Sequence, residues 1–163
     1  MSTPLIVDSS PIICLAKSGY IELLTGSRFE IVVPSLVAEE ISNGGSEDAA
    51  SIWICSEPDV SFVSCEELQS EALSVQLGRG ETCAISIALR RQSENPIVMF
   101  DDYQARKAAR ALNLRCIGTL RFLLDCKEQK LIDKIEPILK ALVNSGLYIS
   151  DSLRDEVLSL AGE

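Results

Sequence analysis

The chain has 163 residues, of which 47% are hydrophobic and 24% charged, and its net charge at pH 7 is −9. We expect one cytoplasmic globular domain, residues 1–163, because no apolar run is long enough to cross a membrane and no signal-type segment is evident. The negative charge argues against a general nucleic-acid coat, and the absence of His excludes Ser-His-Asp and Cys-His catalysis.

Strands and helices are predicted to alternate along the first half of the chain. Residues 5–7 form a short apolar strand, and a helix begins near Pro11 and ends at Gly19. The elements that follow are a helical turn at 20–24, a strand at 30–33, a helix at 35–41, a helical segment at 47–55, a strand at 60–63 and a helix at 66–75.

The second half begins after a break at Gly78-Arg79-Gly80. Its predicted elements are a helix at 81–91, a strand at 96–100, a helix at 102–112, a strand at 115–117, a helix introduced by Gly118 and Thr119, and amphipathic helices at 131–143 and 150–160. Strands that alternate with helices predict an α/β fold with a parallel sheet covered on both faces.

The six cysteines are expected to be reduced. They include no Cys-x-x-Cys pair, and most lie in apolar segments, where a thiol packs as a small hydrophobe. A zinc site is not expected, because there is no His and the Cys spacings do not match one.

Carboxylates follow two of the predicted strands. Asp8 comes directly after residues 5–7, and Asp101-Asp102 follow the apolar run 97–100. Ligands of parallel α/β sheets bind beyond the carboxyl ends of the strands, so these acids would face each other if the two strands are neighbours. Each could instead cap the next helix, but the pair is harder to explain in this way because one cap needs one carboxylate.

Glu40 is predicted to lie on the apolar side of its helix. At 100° per residue it falls roughly 40° from the centre of the stripe formed by Leu36, Val37 and Ile41, whereas Glu39 falls roughly 140° away. Glu40 is therefore the candidate ligand and Glu39 the solvent residue. A partly buried glutamate that extends to the edge of the core is the alternative.

Glu81 is predicted to share a helix face with small and apolar residues, Ala84, Ile85 and Ala88. The small neighbours leave room for a carboxylate, and Gly78 and Gly80 allow close approach of the backbone. A first-turn glutamate that complements the helix dipole is the alternative. Burying carboxylates is costly unless they are paired, so four separated acidic sites indicate a divalent cation and metal-assisted phosphoryl chemistry.

Several segments together resemble the PIN-domain family of metal-dependent ribonucleases, which includes VapC-type toxins. The likeness lies in residues 7–13, 33–41, Leu77-Gly78-Arg79-Gly80-Glu81 with Ala84-Ile85, residues 100–106, and Gly118-Thr119. It covers almost the whole chain. The resemblance implies a three-layer α/β/α sandwich with a central, mainly parallel sheet, and cleavage of RNA with Mg²⁺ or Mn²⁺.

The same resemblance implies the site residues. Asp8, Glu40 and Glu81 correspond to the first three acids, and Asp101 or Asp102 to the fourth, as catalytic and metal-binding residues. Ser9 resembles the small polar residue that supports the first acid.

Three arginines are candidates for holding the RNA backbone, Arg79, Arg106 and Arg110. Arg106 and Arg110 follow Asp102 at spacings of four residues, so they share its side of the predicted helix. Ion pairs with local acids are the alternative role.

Two other functional classes compete with a nuclease. The first is a catalytically silent PIN-like module that binds a protein partner, and the second is a phosphoacceptor receiver domain. The receiver domain is disfavoured, because its acid pair would follow the first strand. Family members often act as the toxin of a toxin–antitoxin pair, so an antitoxin partner is expected beside RNA. The helices from about residue 131 could cover the core or support a homodimer, which is common in the family.

Overall fold

The computed structural model describes residues 1–45, 48–56, 59–65, 68, 72 and 76–163. The predicted helix at 66–75 lies almost entirely outside the described residues, as does the first residue of the predicted segment 47–55. Within the described ranges, no helix has the length and apolar character needed to cross a membrane.

Five parallel strands form the central sheet. Along the chain they are β1 (Pro4–Val7), β2 (Glu30–Pro34), β3 (Val60–Val63), β4 (Ile97–Met99) and β5 (Arg115–Ile117), and their order across the sheet is β3-β2-β1-β4-β5. The strands β1, β2 and β4 are short apolar runs rich in Val and Ile, which suits strands covered on both faces. The predicted sheet is confirmed, and every pairing in it is parallel.

Nine α-helices surround the sheet in the described part of the chain. They are α1 (Ser9–Ser18), α2 (Leu23–Gly26), α3 (Ser35–Ser42), α4 (Ala49–Ser56), α5 (Arg79–Arg90), α6 (Tyr103–Ala111), α7 (Thr119–Glu128), α8 (Glu136–Asn144) and α9 (Asp151–Ala161). A short 3₁₀ helix, Gln92–Glu94, precedes β4.

The alternation of side chains along the strands divides the interior into two cores. Leu5 and Val7 pack on one face of the sheet with residues of α1, α3, α4, α7, α8 and α9. Ile6 and Phe100 pack on the other face with residues of α5 and α6. A sheet with period-two side chains between two helical layers is the predicted three-layer α/β/α sandwich, which is therefore confirmed.

The predicted helix at 131–143 begins too early. Helix α8 starts at Glu136, and Pro137 occupies its first turn. Proline lacks a backbone N–H and clashes with the preceding turn of a helix, so a helix that continued through Pro137 from residue 131 would be kinked or broken. Lys130, at φ 61°, also lies in the left-handed region, where the chain leaves α7.

The order of the strands places the candidate acids. Strand β1 pairs with β2 on one side and with β4 on the other, and Val7 is in register with Met99. From β1 the chain adds β2 and then β3 on one side, and it then crosses over to add β4 and β5 on the other. The β1–β4 boundary is therefore the switch point where α/β sheets bind ligands.

Candidate functional site

Asp8 and Asp101 lie at the carboxyl edge of the sheet. Asp8 directly follows β1, and its backbone N–H donates to the Met99 carbonyl of β4 at 3.3 Å. Asp101 lies two residues beyond Met99, after the buried Phe100. The strand pairing thus brings together two carboxylates that are more than ninety positions apart in the sequence.

Asp8 is a nearly buried carboxylate whose pKa is altered by its surroundings. Only 7% of the residue is exposed. Burial is the largest cause of its altered pKa, which rises to about 6; the Ser9 N–H lowers it, and three negative charges raise it further, those of Glu81, Glu40 and Asp101. The carboxylates of Glu81, Glu40 and Asp101 therefore lie near enough to Asp8 for their charges to act on it.

Gly80 lies beside this cluster of carboxylates. A β-carbon added to it would lie 3.3 Å from Asp8 Oδ1, 3.2 Å from Glu40 Oε2 and 3.2 Å from Val37 Cγ2. The oxygens of two carboxylates therefore lie over the backbone of the first turn of α5, in a space that only the absence of a side chain leaves open. This contact connects α3, α5 and the end of β1.

Glu40 reaches the cluster in a different way from the one predicted. Val37 and Ile41 are buried as the helical period indicates, but Glu40 is exposed rather than part of the apolar stripe. Its carboxylate extends over Gly80 toward Asp8. The prediction of burial is wrong because a short helix at the rim of the sheet leaves the end of a long side chain in contact with solvent.

Glu81 is half-buried in the first turn of α5 and makes a capping contact. Its Oε2 accepts a hydrogen bond from the Gly78 N–H at 3.0 Å, which satisfies one of the unpaired donors at the start of the helix. The predicted alternative, a first-turn acid that stabilises the helix end, is therefore present in the geometry. Glu81 also repels Asp8, so one carboxylate takes part in both the cap and the cluster.

Asp101 and Asp102 are held in different places. The Thr119 N–H donates to Asp101 Oδ1 at 2.8 Å, and the Thr119 hydroxyl donates to Asp101 Oδ2 at 2.7 Å. Asp102 instead accepts from the Ala105 N–H at 2.8 Å as the N-cap of α6. The geometry therefore associates Asp101 with Asp8 and gives Asp102 a capping contact.

The three candidate arginines also differ. Arg106 donates from one nitrogen to the carbonyls of Phe100, at 3.1 Å, and Asp101, at 2.6 Å, so it supports the end of β4. Arg79 and Arg110 are exposed. Neither of these two takes part in an ion pair within the described ranges, which leaves their charges available to a ligand.

The donor set suits a hard divalent cation, although it is not arranged as a finished ligand shell. In the part of the chain that the structure describes, no three Asp, Glu, Cys or His side chains already converge as the ligands of one ion. Carboxylate oxygens are the ligands that Mg²⁺ and Mn²⁺ prefer, and the open space at Gly80 lies between two of them. Since like charges repel, binding a cation would draw the carboxylates closer together.

Thr119 is the functional candidate that the sequence interpretation missed. The sequence places it at the start of a helix and among the residues that carry the family resemblance, but assigns it no role in the site. It is 1% exposed, follows the last strand, and holds both oxygens of Asp101. A hydroxyl residue at the carboxyl end of the strand next to β4 was the available signal, because neighbouring parallel strands end at the same edge.

Comparison with known proteins identifies the family of the chain. A family model described as a PIN domain matches residues 4–163, nearly the full length of the chain. No curated protein matches the sequence significantly.

Proposed function

The chain belongs to the PIN-domain family, a nuclease-type fold, and on that premise we propose that it is a Mg²⁺- or Mn²⁺-dependent endoribonuclease. The observation that supports this proposal is the convergence on Asp8. Asp8 is nearly buried, three other carboxylates raise its pKa, and among the described residues the Ser9 N–H is the group that lowers it. Such an arrangement is costly unless a cation neutralises it.

Four carboxylates would hold the metal in this proposal, those of Asp8, Glu40, Glu81 and Asp101. When bound, a divalent ion neutralises charge on the scissile phosphate and acidifies a water molecule that can attack phosphorus. Asp102 stays outside the proposed ligand set, because its carboxylate caps α6.

The other residues of the site orient the acids or the substrate. The Ser9 N–H lowers the pKa of Asp8, and Thr119 holds Asp101 through two hydrogen bonds. Arg79 and Arg110 present exposed guanidinium groups that can contact RNA phosphates, and Arg106 maintains the end of β4 beside Asp101. Without His in the chain, the carboxylates are the available groups for proton transfer at neutral pH.

This proposal is tested by measuring the cleavage of single-stranded RNA by the wild type and by variants of the acidic residues. Asp8→Asn and Glu81→Gln should lose the Mn²⁺-dependent activity that EDTA abolishes in the wild type. Glu40→Gln should lose activity as well, whereas Glu39→Gln, one position away on the same helix, should keep it. A catalytically silent module would show the same background cleavage for the wild type and Asp8→Asn, and that result would refute the enzyme.

The biological setting proposed is a toxin–antitoxin pair, in which a protein partner blocks the site, and the active form is proposed to be a cytoplasmic homodimer. The toxin–antitoxin pair and the homodimer are both common among members of the family, which supports the two proposals. The net negative charge of the chain also suits a basic antitoxin segment. Expression of the wild type should then arrest growth, expression of Asp8→Asn should not, and sedimentation should give twice the mass of one chain.

A further inference from the structure

A cavity of about 330 Å³ opens directly beside Asp101. Its walls come from the ends of β4 and β5, from α6 and the start of α7, and from the segment that leads into the first turn of α9. The lining residues used here are Asp101, Arg106, Leu120, Arg121, Tyr148 and Leu153. Its size is at the lower end of the range for small-molecule sites, which is adequate for one nucleotide rather than for a folded element.

Tyr148 is unusually exposed for an aromatic residue, and it lines this cavity. It is 88% exposed, although its neighbours Leu147 and Ile149 pack against the core. The Leu147 N–H also donates to the Leu142 carbonyl of α8 at 3.0 Å. Because alternate residues of an extended segment lie on opposite sides, anchoring both neighbours presents the Tyr148 ring to solvent at little cost in conformational entropy.

The cavity combines an aromatic ring, apolar surface and positive charge. Leu120 and Leu153 supply apolar surface. The Arg121 guanidinium pairs with Asp125 at 3.1 Å and with Glu128 at 4.0 Å, and its side chain remains 54% exposed. A nucleobase has a flat face that stacks on an aromatic ring, and its phosphate is attracted to a guanidinium group. An aliphatic peptide side chain would use the leucines but would gain nothing from the arginines.

We propose that this cavity, defined by Tyr148, Arg121 and Leu153 and called here the Tyr148 cavity, binds one unpaired nucleotide of the RNA, with its base stacked on Tyr148. The inference rests on the proposed nuclease function and adds to it a subsite for one unpaired base. In an A-form duplex the bases are stacked within the helix, and an aromatic side chain reaches only bases in loops, bulges and single strands. The neighbouring nucleotide would then lie at Asp101.

Binding of RNA in the Asp8→Asn background, which separates binding from cleavage, tests this inference. The probes are a fluorescent single-stranded RNA of roughly ten nucleotides and a ribose-phosphate chain of the same length without bases. Adding Tyr148→Ala should weaken binding of the RNA by about 5- to 100-fold and leave the base-free chain unchanged. Tyr148→Phe should bind within about twofold of the background, because the ring and not the hydroxyl makes the contact.

Phe62→Ala is the matched control, because Phe62 is a partly exposed ring on β3, at the opposite edge of the sheet. It should leave the RNA affinity unchanged. Equal affinity of Tyr148→Ala and the background would overturn the inference, as would an equal loss on the base-free chain. Cleavage that survives in Asp8→Asn, together with Tyr148-dependent binding, would overturn the proposed metal mechanism and leave this subsite intact.

Discussion

Thr119 holds both carboxylate oxygens of Asp101. Its N–H donates to Oδ1 at 2.8 Å and its hydroxyl to Oδ2 at 2.7 Å, so the first residue of α7 orients an acid that follows β4. Hydrogen bonds from a second residue reduce the rotational freedom of a carboxylate. In the proposed metal site, Thr119 is therefore a positioning residue.

Thr119→Val should lower kcat by about tenfold, since loss of a partner that orients a metal ligand has an effect of this order. The residue is 1% exposed and valine has nearly the same shape, so a folded protein is expected. Thr119→Ser restores the hydroxyl and should restore both kcat and the Mn²⁺ affinity measured by calorimetry. Similar losses in the valine and serine variants would argue against a role for the hydroxyl.

Asp8 makes the stability of the metal-free protein depend on pH. Its pKa is about 6 in the folded state, mainly through burial, against an ordinary value of 3.8. Between these values the folded state binds more protons than the unfolded state, so the free energy of unfolding should fall as pH rises from about 4 to above 6. The change from 3.8 to about 6 corresponds to about 3 kcal/mol as an order of magnitude.

Urea denaturation in EDTA at several pH values measures this dependence. Asp8→Asn has no proton to lose at this position, so the wild type should become less stable relative to the variant as pH rises. Saturating Mn²⁺ should stabilise the wild type most at the higher pH, where Asp8 is ionised. A difference between the two proteins that stays constant from pH 4 to pH 7 would show that Asp8 is not perturbed.

The sequence alone did not decide whether Asp101 or Asp102 is the direct ligand. Periodicity and the apolar run predict β4, and the acid pair at its end is visible in the sequence. The distinction depends on Thr119, which is 18 positions away from Asp101, and on the Ala105 N–H of the following helix. The first contact is a tertiary one, whereas the second, a side chain bonded to the third residue of a helix, follows a local capping rule.

Local rules also predict most of the fold, and two differences have identifiable causes. The early start predicted for α8 came from following apolar periodicity through Pro137, although proline is tolerated only in the first turn of a helix. The burial predicted for Glu40 depended on an angle around a helix axis alone. How far a long side chain extends depends on neighbouring elements, here the backbone of Gly80.

Glu163 is expected to stabilise the start of α8. Its carboxylate accepts from the Ile135 N–H at 2.6 Å, the Glu136 N–H at 3.1 Å and the Lys127 ammonium at 2.7 Å. Burial raises its pKa, but the ammonium and the two N–H groups outweigh it and lower the pKa to about 2. Glu163→Gln should therefore cost about 1 kcal/mol at neutral pH, a typical value for a helix cap.

The stability that Glu163 contributes depends on pH with the opposite sign to the contribution of Asp8. A lowered pKa contributes stability that is complete above about 4.5 and is lost as pH falls toward 2. The melting temperatures of the wild type and Glu163→Gln should thus differ at pH 7, differ less at pH 3, and converge only as the pH approaches 2. Glu156→Gln, an exposed acid on α9, is the control and should change neither value. A Glu163→Gln difference that persists undiminished at pH 3 would contradict the capping role.

A substitution at Gly80 should change metal binding with little effect on folding. Both Gly80 and Gly26 lie in helices, where alanine is favoured over glycine by roughly 0.5–1 kcal/mol. A β-carbon at Gly26 has nothing within 4 Å, whereas one at Gly80 lies 3.2 Å from Glu40 Oε2 and 3.3 Å from Asp8 Oδ1. Gly80→Ala should therefore displace the two carboxylates and weaken Mn²⁺ binding by about tenfold, with little change in the free energy of unfolding. Gly26→Ala should keep the Mn²⁺ affinity. Calorimetry measures the Mn²⁺ affinity of both variants. Unchanged affinity in Gly80→Ala would place the cation away from these two oxygens.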